Sequence, residues 1–246
     1  MQQIDAKSKT FAPLTNVGLF MRLLERAMQR DPRLPGMVCF HGPSGWGKSS
    51  SACYGYNRLD AYYIECRSTM TKKGFLEELL KEMGLLPERT IGAMFSQAIE
   101  ELRATGRPLI IDEMDYLVDK AAVDIVRDLH DESLCAIALI GEERLPAKLA
   151  RWERFHGRIL DWQGAQPVSR ADVQHLANLY CTGLTVGDDL LGHLHKLARG
   201  SVRRVCVNLS NIAAEANRIG VDAIDLTTWG NRPLYTGEAP SGRRLA

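Results

Sequence analysis

The stretch Gly42-Pro43-Ser44-Gly45-Trp46-Gly47-Lys48-Ser49 fits the pattern G-x-x-x-x-G-K-[ST] at every fixed position. Its glycines let the chain wrap tightly, so that successive backbone N–H groups point inward at an anion. The pattern carries weight only between a strand and a helix, and the flanks supply both. Met37–Phe40 is a short apolar run that ends at His41-Gly42 and reads as a buried strand. Ser49–Arg58 reads as the helix that follows, whose N-terminus adds its positive end to the site. In such a loop Lys48 reaches the β- and γ-phosphates of a nucleoside triphosphate and the Ser49 hydroxyl meets Mg²⁺, with Ser50 beside it. Residues 42–50 are therefore expected to hold ATP and Mg²⁺.

Working outward, Val17–Arg30 places Leu19, Phe20, Leu23, Leu24 and Met28 at helical spacing before residues 31–36 break the pattern. Downstream, Ala61–Cys66 reads as a strand and Lys72–Met83 as a helix with Phe75, Leu76, Leu79 and Leu80 on one face. Thr90–Thr105 is a further amphipathic helix. Leu109–Ile111 is a continuous apolar strand, Ala121–Asp131 a helix, Cys135–Ile140 a buried strand and Arg158–Leu160 a short one. Strands apolar on both faces that alternate with helices imply an α/β fold, a parallel sheet between helical layers. After Pro167 only helices are expected: Ser169–Tyr180, Asp188–Ala198 and Val202–Gly220. Ser169 with Asp172 reads as an N-cap and an acidic first turn. The organisation expected is an arm over residues 1–15, a core over 16–165, a helical lid over 166–228 and a flexible tail over 229–246.

The strand 109–111 closes with Asp112-Glu113. A carboxylate at the end of a buried strand downstream of a phosphate loop suits the Mg²⁺ shell, and Glu113 is then placed to activate water as a general base. Asp115 reads as a solvated helix-start residue. Transition-state charge calls for an arginine, and Arg151, Arg154 and Arg158 cluster in Arg151-Trp-Glu-Arg-Phe-His-Gly-Arg158. Arg158 is preferred, with Arg154 second, as a residue acting on a neighbouring subunit. Arg203, in Gly200-Ser-Val-Arg-Arg204, is expected to reach the γ-phosphate from the lid. Arg204 points elsewhere, since adjacent helical residues do not share a face.

The ordered set GPSGWGKS, LIIDE, AIALIGEE, RFHGR and GSVRR resembles the AAA+ ATPases, over roughly residues 14–220. TNVGLFMRLLERA, RPLIIDEMDYL and the run from Val126 to Leu160 look more narrowly like the transposition target selectors, the MuB-like proteins of transposable phages related to TnsC and TniB. That resemblance implies an ATPase that assembles on duplex DNA as a filament or ring, with ATP between subunits. It further implies delivery of target DNA to a cognate transposase, with hydrolysis driving disassembly. One departure is Gly141-Glu142, where AAA+ proteins often carry Asn, Ser or Thr at the end of the fourth strand, which points to slow hydrolysis. The other is that too little chain precedes the core for a helix-turn-helix, so DNA contacts fall to the core. An AAA+ loader or initiation-type ATPase that remodels a replication complex stays open as an alternative, as does a P-loop kinase.

DNA phosphates call for cations on one edge. Arg67-Ser-Thr-Met-Thr71-Lys72-Lys73 follows the second strand, and Thr71, Lys72 and Lys73, with Arg67 behind them, are the expected contacts. They carry no base code, so binding should be sequence-independent. The Tyr62-Tyr63 pair reads as face packing rather than base stacking. Trp46 is expected against a neighbouring subunit or the adenine side, and His130 and His156 as polar surface or hydrogen-bonded residues.

The net charge of +1 over 246 residues gives no overall basic field, and 45% hydrophobic with 25% charged residues is ordinary for a soluble protein. No apolar run reaches the ~18 residues of a membrane span. The six cysteines, Cys39, Cys53, Cys66, Cys135, Cys181 and Cys206, form no C-x-x-C pair. They read as reduced, buried small side chains, which points to the cytoplasm.

Overall fold

The computed structural model describes residues 12–238, which divide into two compact units, one over Asn16–Ala165 and one made of the residues up to Thr15 and from Gln166 onward. The first unit is built on five parallel strands: β1 (Met37–His41), β2 (Tyr62–Glu65), β3 (Leu109–Asp112), β4 (Ile137–Gly141) and β5 (Ile159–Gly164), in the order β2-β3-β4-β1-β5. The sheet needs helical crossovers because parallel neighbours cannot be joined by a tight turn. α1 (Thr15–Met28) precedes β1, and the connections carry α2 (Lys48–Leu59), α3 (Lys72–Glu82), α4 (Ile91–Thr105), α5 (Asp115–Asp119), α6 (Asp124–Ser133), α7 (Leu145–Leu149) and α8 (Glu153–His156).

The period-2 alternation of the strands sorts the core into two layers. Val38, Phe40, Ile110, Ala138 and Ile140 pack with Phe20, Leu23 and Leu24 of α1 and Ala52 of α2. Met37, Cys39, Leu109, Ile111, Ile137 and Leu139 face the other way, onto Leu76, Leu80, Met94, Leu102, Val126 and Leu129. Burying each large apolar side chain of this kind is worth roughly 1.5–3 kcal/mol before entropy is counted. A β-carbon on Gly55 would lie 2.7 Å from the Phe20 ring, so this glycine sets how closely α1 and α2 approach.

Hydrogen bonds fix the helix ends. Thr71 caps α3 by accepting from the Gly74 N–H, and Thr90 caps α4 by accepting from Ala93. The strand expected over 158–160 runs four residues further, to Gly164, and the helix expected from Ala121 begins at Asp124. Of the two readings of His130, the structure shows the hydrogen-bonded one. It is buried, and its Nε2 accepts the Gly36 N–H while Nδ1 faces the Cys135 carbonyl at 2.9 Å, which fixes the proton on Nδ1. Burial lowers its pKa, so the ring stays neutral. His156 stacks against Trp162, ring centroids 5.3 Å apart. Four of the cysteines are buried, whereas Cys53 is exposed and Cys206 half-buried.

The second unit contains α9 (Arg170–Tyr180), β6 (Thr185–Val186), α10 (Asp188–Ala198), α11 (Val202–Ile219), β7 (Ala223–Ile224) and α12 (Leu226–Trp229). Ser169 and Asp172 form a reciprocal capping box at the start of α9. The expectation of helices alone is corrected here, because β6 and β7 pair in parallel through Thr185–Ala223 and Val186–Ile224. Two-residue strands carry no alternation for a sequence to display. Trp229 is buried, and the Asn208 amide bonds both the Tyr235 carbonyl and its N–H, so residues up to 238 in the segment expected as a loose tail are held against α11. Residues 1–11 of the expected arm and the final 239–246, with Gly242-Arg-Arg-Leu-Ala246, lie outside the described residues.

Candidate nucleotide site

The carboxyl ends of the parallel strands gather the polar residues, the usual place for a ligand in an open α/β sheet. β1 ends in the loop 42–47, which turns directly into α2. Gly45 and Gly47 take φ of 80° and 87°, the left-handed region in which a side chain is strained. A β-carbon on Gly42 would come within 2.9 Å of the Ala165 β-carbon, so the loop base admits no side chain either. The loop is therefore built for close approach of backbone to ligand. Pro43 and Ser44 form its tip, and Ser49 and Ser50 are exposed in the first turn of α2.

Lys48 Nζ donates to the Gly42 carbonyl at 2.7 Å and to the Pro43 carbonyl at 3.0 Å, so the amine lies in the hollow of its own loop. Burial lowers its pKa, opposed by the charges of Asp112, Glu113, Glu142 and Asp115. Those four carboxylates lie at or just after the carboxyl ends of β3 and β4. Trp46 is engaged within its own unit. Its ring is partly buried against the core of its own unit, and its carbonyl accepts from Asn16 Nδ2 at 2.8 Å.

Asp112 is buried, and both of its oxygens are bonded. Oδ1 accepts the Glu113 N–H at 2.8 Å and Oδ2 accepts the Tyr63 hydroxyl at 3.0 Å. Tyr63 is therefore more than face packing, and burial together with the Asp112 charge pushes its phenol well above the usual tyrosine range. Tyr62 is fully buried, donates to Glu101 at 2.7 Å and lies under the Arg107 guanidinium. Glu113 has a φ of 53°, uncommon for a residue with a side chain and of the kind that recurs at functional positions. Its carboxyl is pushed above the ordinary glutamate range, first by burial and then by the Asp112 charge. A half-buried carboxylate with a raised pKa is suited to accepting a proton from water.

Asp115 corrects the reading of a solvated helix start. It is buried, its Oδ2 accepts the Glu142 N–H at 2.7 Å, and its Oδ1 lies 3.0 Å from Lys148 Nζ. Gly141 makes room for it, since a β-carbon there would lie 2.3 Å from Asp115 Oδ2. The Asp115 carboxylate at the start of α5, with Leu145 at 2.6 Å from the same point, thus occupies the space that a side chain at the end of β4 would need.

The arginines before β5 lie at the other end of the sheet. The Arg158 carbonyl accepts from the N–H of Met37, the first residue of β1, whereas the phosphate loop follows the last. Five strand residues span about 16 Å, more than an arginine side chain can bridge. Arg158 is also engaged, with Nε and Nη2 bonded to the Asp131 carboxylate and Nη1 to the Arg154 carbonyl. The Arg154 guanidinium is exposed and has no partner among the described residues; Arg151 is exposed as well. Arg203 is exposed in the first turn of α11, on the second unit, where Ser201 caps the helix. Arg67, Thr71, Lys72 and Lys73 are all exposed beyond the carboxyl end of β2, an edge strand. Lys73 pairs with Glu77 at 3.5 Å, and the Thr71 hydroxyl is committed to its cap.

Residues 30–149 match the family model described as an AAA domain. The fold is that of a P-loop AAA+ ATPase. No curated protein matches the sequence. Among solved structures, this chain superposes on the ORC2 protein of Aeropyrum pernix in its ADPNP and ADP complexes, with a TM-score of 0.67 at 12% identity, covering 87% of this chain and 66% of that one. It is similar to the ORC1 protein of Aeropyrum pernix in complex with DNA, at a TM-score of 0.64 and 16% identity, over 85% of this chain and 61% of that one. Domain III of the replication initiation protein DnaA from Thermotoga maritima matches at a TM-score of 0.56 and 18% identity, over 89% and 90% of the two chains. The chain thus spans 61–66% of the length of the ORC proteins it resembles. Among the described residues no helix is long and apolar enough to cross a membrane.

Tyr63 and Asp115 are the two site residues that sequence reasoning missed. Their partners lie 49 and 27 positions away, and neither sits in a motif that spacing could flag.

Proposed function

We propose that this chain is an ATPase that assembles on duplex DNA in its ATP state and delivers that DNA to a transposase. The observation that carries the ATPase part is the convergence of Lys48, Asp112 and Glu113 at the carboxyl end of one parallel sheet. Their chemistry fits a nucleotide with Mg²⁺. The N–H groups of the loop and of the α2 start would hold the phosphates, with Lys48 exchanging two loop carbonyls for phosphate oxygens. Ser49 and Asp112 would hold Mg²⁺, which when bound offsets the charge that develops on the phosphates. Glu113 would take the proton of the attacking water.

Because Arg154 and Arg158 lie some 16 Å of strand away from their own loop, an arginine of this cluster can serve only the site of another subunit. Arg154 is the better candidate, its guanidinium being unpaired where Arg158 is held by Asp131. Arg203 would meet the γ-phosphate from the second unit. Arg67, Lys72 and Lys73 would face DNA phosphates, with Thr71 setting the start of their helix. The transposase reading rests on the motif resemblance to the target selectors. Similarity to ORC and DnaA folds favours a second reading, a loader or initiation-type ATPase for which the partner is a replication protein.

Electron microscopy of the protein on long random-sequence duplex DNA, with ATP, with ADP and without nucleotide, separates the two. ATP-dependent coating of the DNA is expected. In Lys72→Ala with Lys73→Ala, the log–log slope of affinity against salt should flatten by about 2, near 0.9 per lost phosphate contact. Nucleotide binding without any coating would overturn the DNA-assembly reading in favour of the loader.

A further inference from the structure

A carboxylate that meets a metal ion is only as well aimed as its own supports, and Asp112 draws one of its two from outside its strand. The first support is local, since Glu113, in its left-handed conformation, turns its N–H back onto Oδ1 at 2.8 Å. The second crosses the sheet. β2 and β3 run parallel with Tyr63 beside Ile110 and Glu65 beside Asp112, so Tyr63 starts two residues short of the carboxylate. Its side chain extends along the strand direction and places the hydroxyl 3.0 Å from Oδ2. The ring is held in turn by an edge contact with Tyr56 of α2, centroids 6.1 Å apart. The first turn of α2 carries Ser49, the other residue assigned to the metal.

We propose that Tyr63 is a positioning residue for the divalent cation, orienting Asp112 by its hydroxyl hydrogen bond and thereby setting how much Mg²⁺ strengthens nucleotide binding. The proposal rests on the reading of residues 42–50 and Asp112 as an ATP–Mg²⁺ site. A carboxylate held at both oxygens has one rotamer, whereas one held at Oδ1 alone can swing about its Cα–Cβ bond and lose its aim. Hydrogen-bonded supports of metal ligands are typically worth 10–100-fold in metal affinity. The hydroxyl reaches none of the phosphate-loop residues among the described contacts, so nucleotide without metal should not depend on it.

The experiment is Tyr63→Phe, which keeps the ring, its contact with Tyr56 and its burial and removes one oxygen. Binding of a fluorescent ATP analogue is titrated with Mg²⁺ and with EDTA, for wild type, Tyr63→Phe, Asp112→Asn and the double variant. In the wild type Mg²⁺ should tighten binding. In Tyr63→Phe that gain should shrink about 10-fold, with the EDTA affinity retained to within about twofold and a melting curve in the absence of nucleotide close to wild type. In the Asp112→Asn background the tyrosine change should add nothing, because the group it orients is gone. An unchanged Mg²⁺ gain in Tyr63→Phe overturns the inference, as does equal weakening with and without metal, which marks a merely structural residue. A wild-type protein that binds the analogue without any Mg²⁺ gain overturns the assignment of Asp112 itself and the inference with it, and the two failures are told apart by the wild-type titration.

Discussion

At the scale of single residues, the site is decided by what each side chain is denied. Glu113 is denied full hydration and stands beside a second carboxylate, so its proton leaves only above the ordinary glutamate range. Two consequences follow with opposite signs. As a general base Glu113 works ionised, so ATP turnover should fall on the acid side, with a midpoint above that of a free glutamate, measured as a pH profile of the hydrolysis rate. For folding, the native state holds the proton more tightly than the unfolded chain, so stability falls as pH rises from the unfolded pKa through the native one. Glu113→Gln should therefore melt no lower than wild type at neutral pH while losing about 10²–10⁴-fold in hydrolysis, with ATP binding kept. Coincident loss of binding and hydrolysis would show that the residue holds nucleotide rather than activating water. The phosphate loop, Asp112 and Glu113 were legible from sequence because their chemistry is written in contiguous motifs. Tyr63 was not, because its hydroxyl takes its meaning from the neighbouring strand.

At the scale of elements, the end of β4 shows how two segments share one space. Gly141 has no side chain, and Asp115, the first residue of α5, fills most of the place where one would be beside Leu145, bonded to the Glu142 N–H and to Lys148. Gly141→Ala should force the Asp115 carboxylate out and cost about 1–3 kcal/mol, as overpacking of a fitted core does. Asp115→Ala should cost a similar ~1–3 kcal/mol by removing the acceptor of the part-buried Glu142 N–H and one of the two carboxylates paired with Lys148. Chemical denaturation of each single variant and of the pair checks this. The pair should cost less than the sum, since the space that the alanine needs is the space that the carboxylate leaves. Additive costs would mean that the two positions do not compete. The five strands and the long helices were readable because apolar runs and 3.6-residue spacing persist over many positions. The short helices Asp115–Asp119, Leu145–Leu149 and Glu153–His156 span barely one turn, too few residues to show a period, and the parallel pair β6–β7 is shorter still.

At the scale of the whole molecule, the parallel sheet fixes a direction. Its carboxyl end carries the phosphate loop, Asp112, Glu113 and, beyond β2, the exposed Arg67–Lys73 segment, while Arg154 lies before the amino end of β5. A contact that brings the Arg154 of one subunit to the phosphate loop of the next joins unlike surfaces, and contacts of that kind close into rings or run on as helices. An open chain of this sort has unequal tips. One terminal subunit presents a nucleotide that no neighbour's arginine reaches, and the other presents an Arg154 with nothing to act upon. In a row of n subunits only n − 1 sites are complete, so turnover per subunit should climb with row length and level off, rising with protein concentration or with the length of the DNA supplied. Arg154→Ala should hold it at the level of the lone subunit at every length. A closed ring has no tips, and its turnover per subunit would jump once, at closure, and then stay flat.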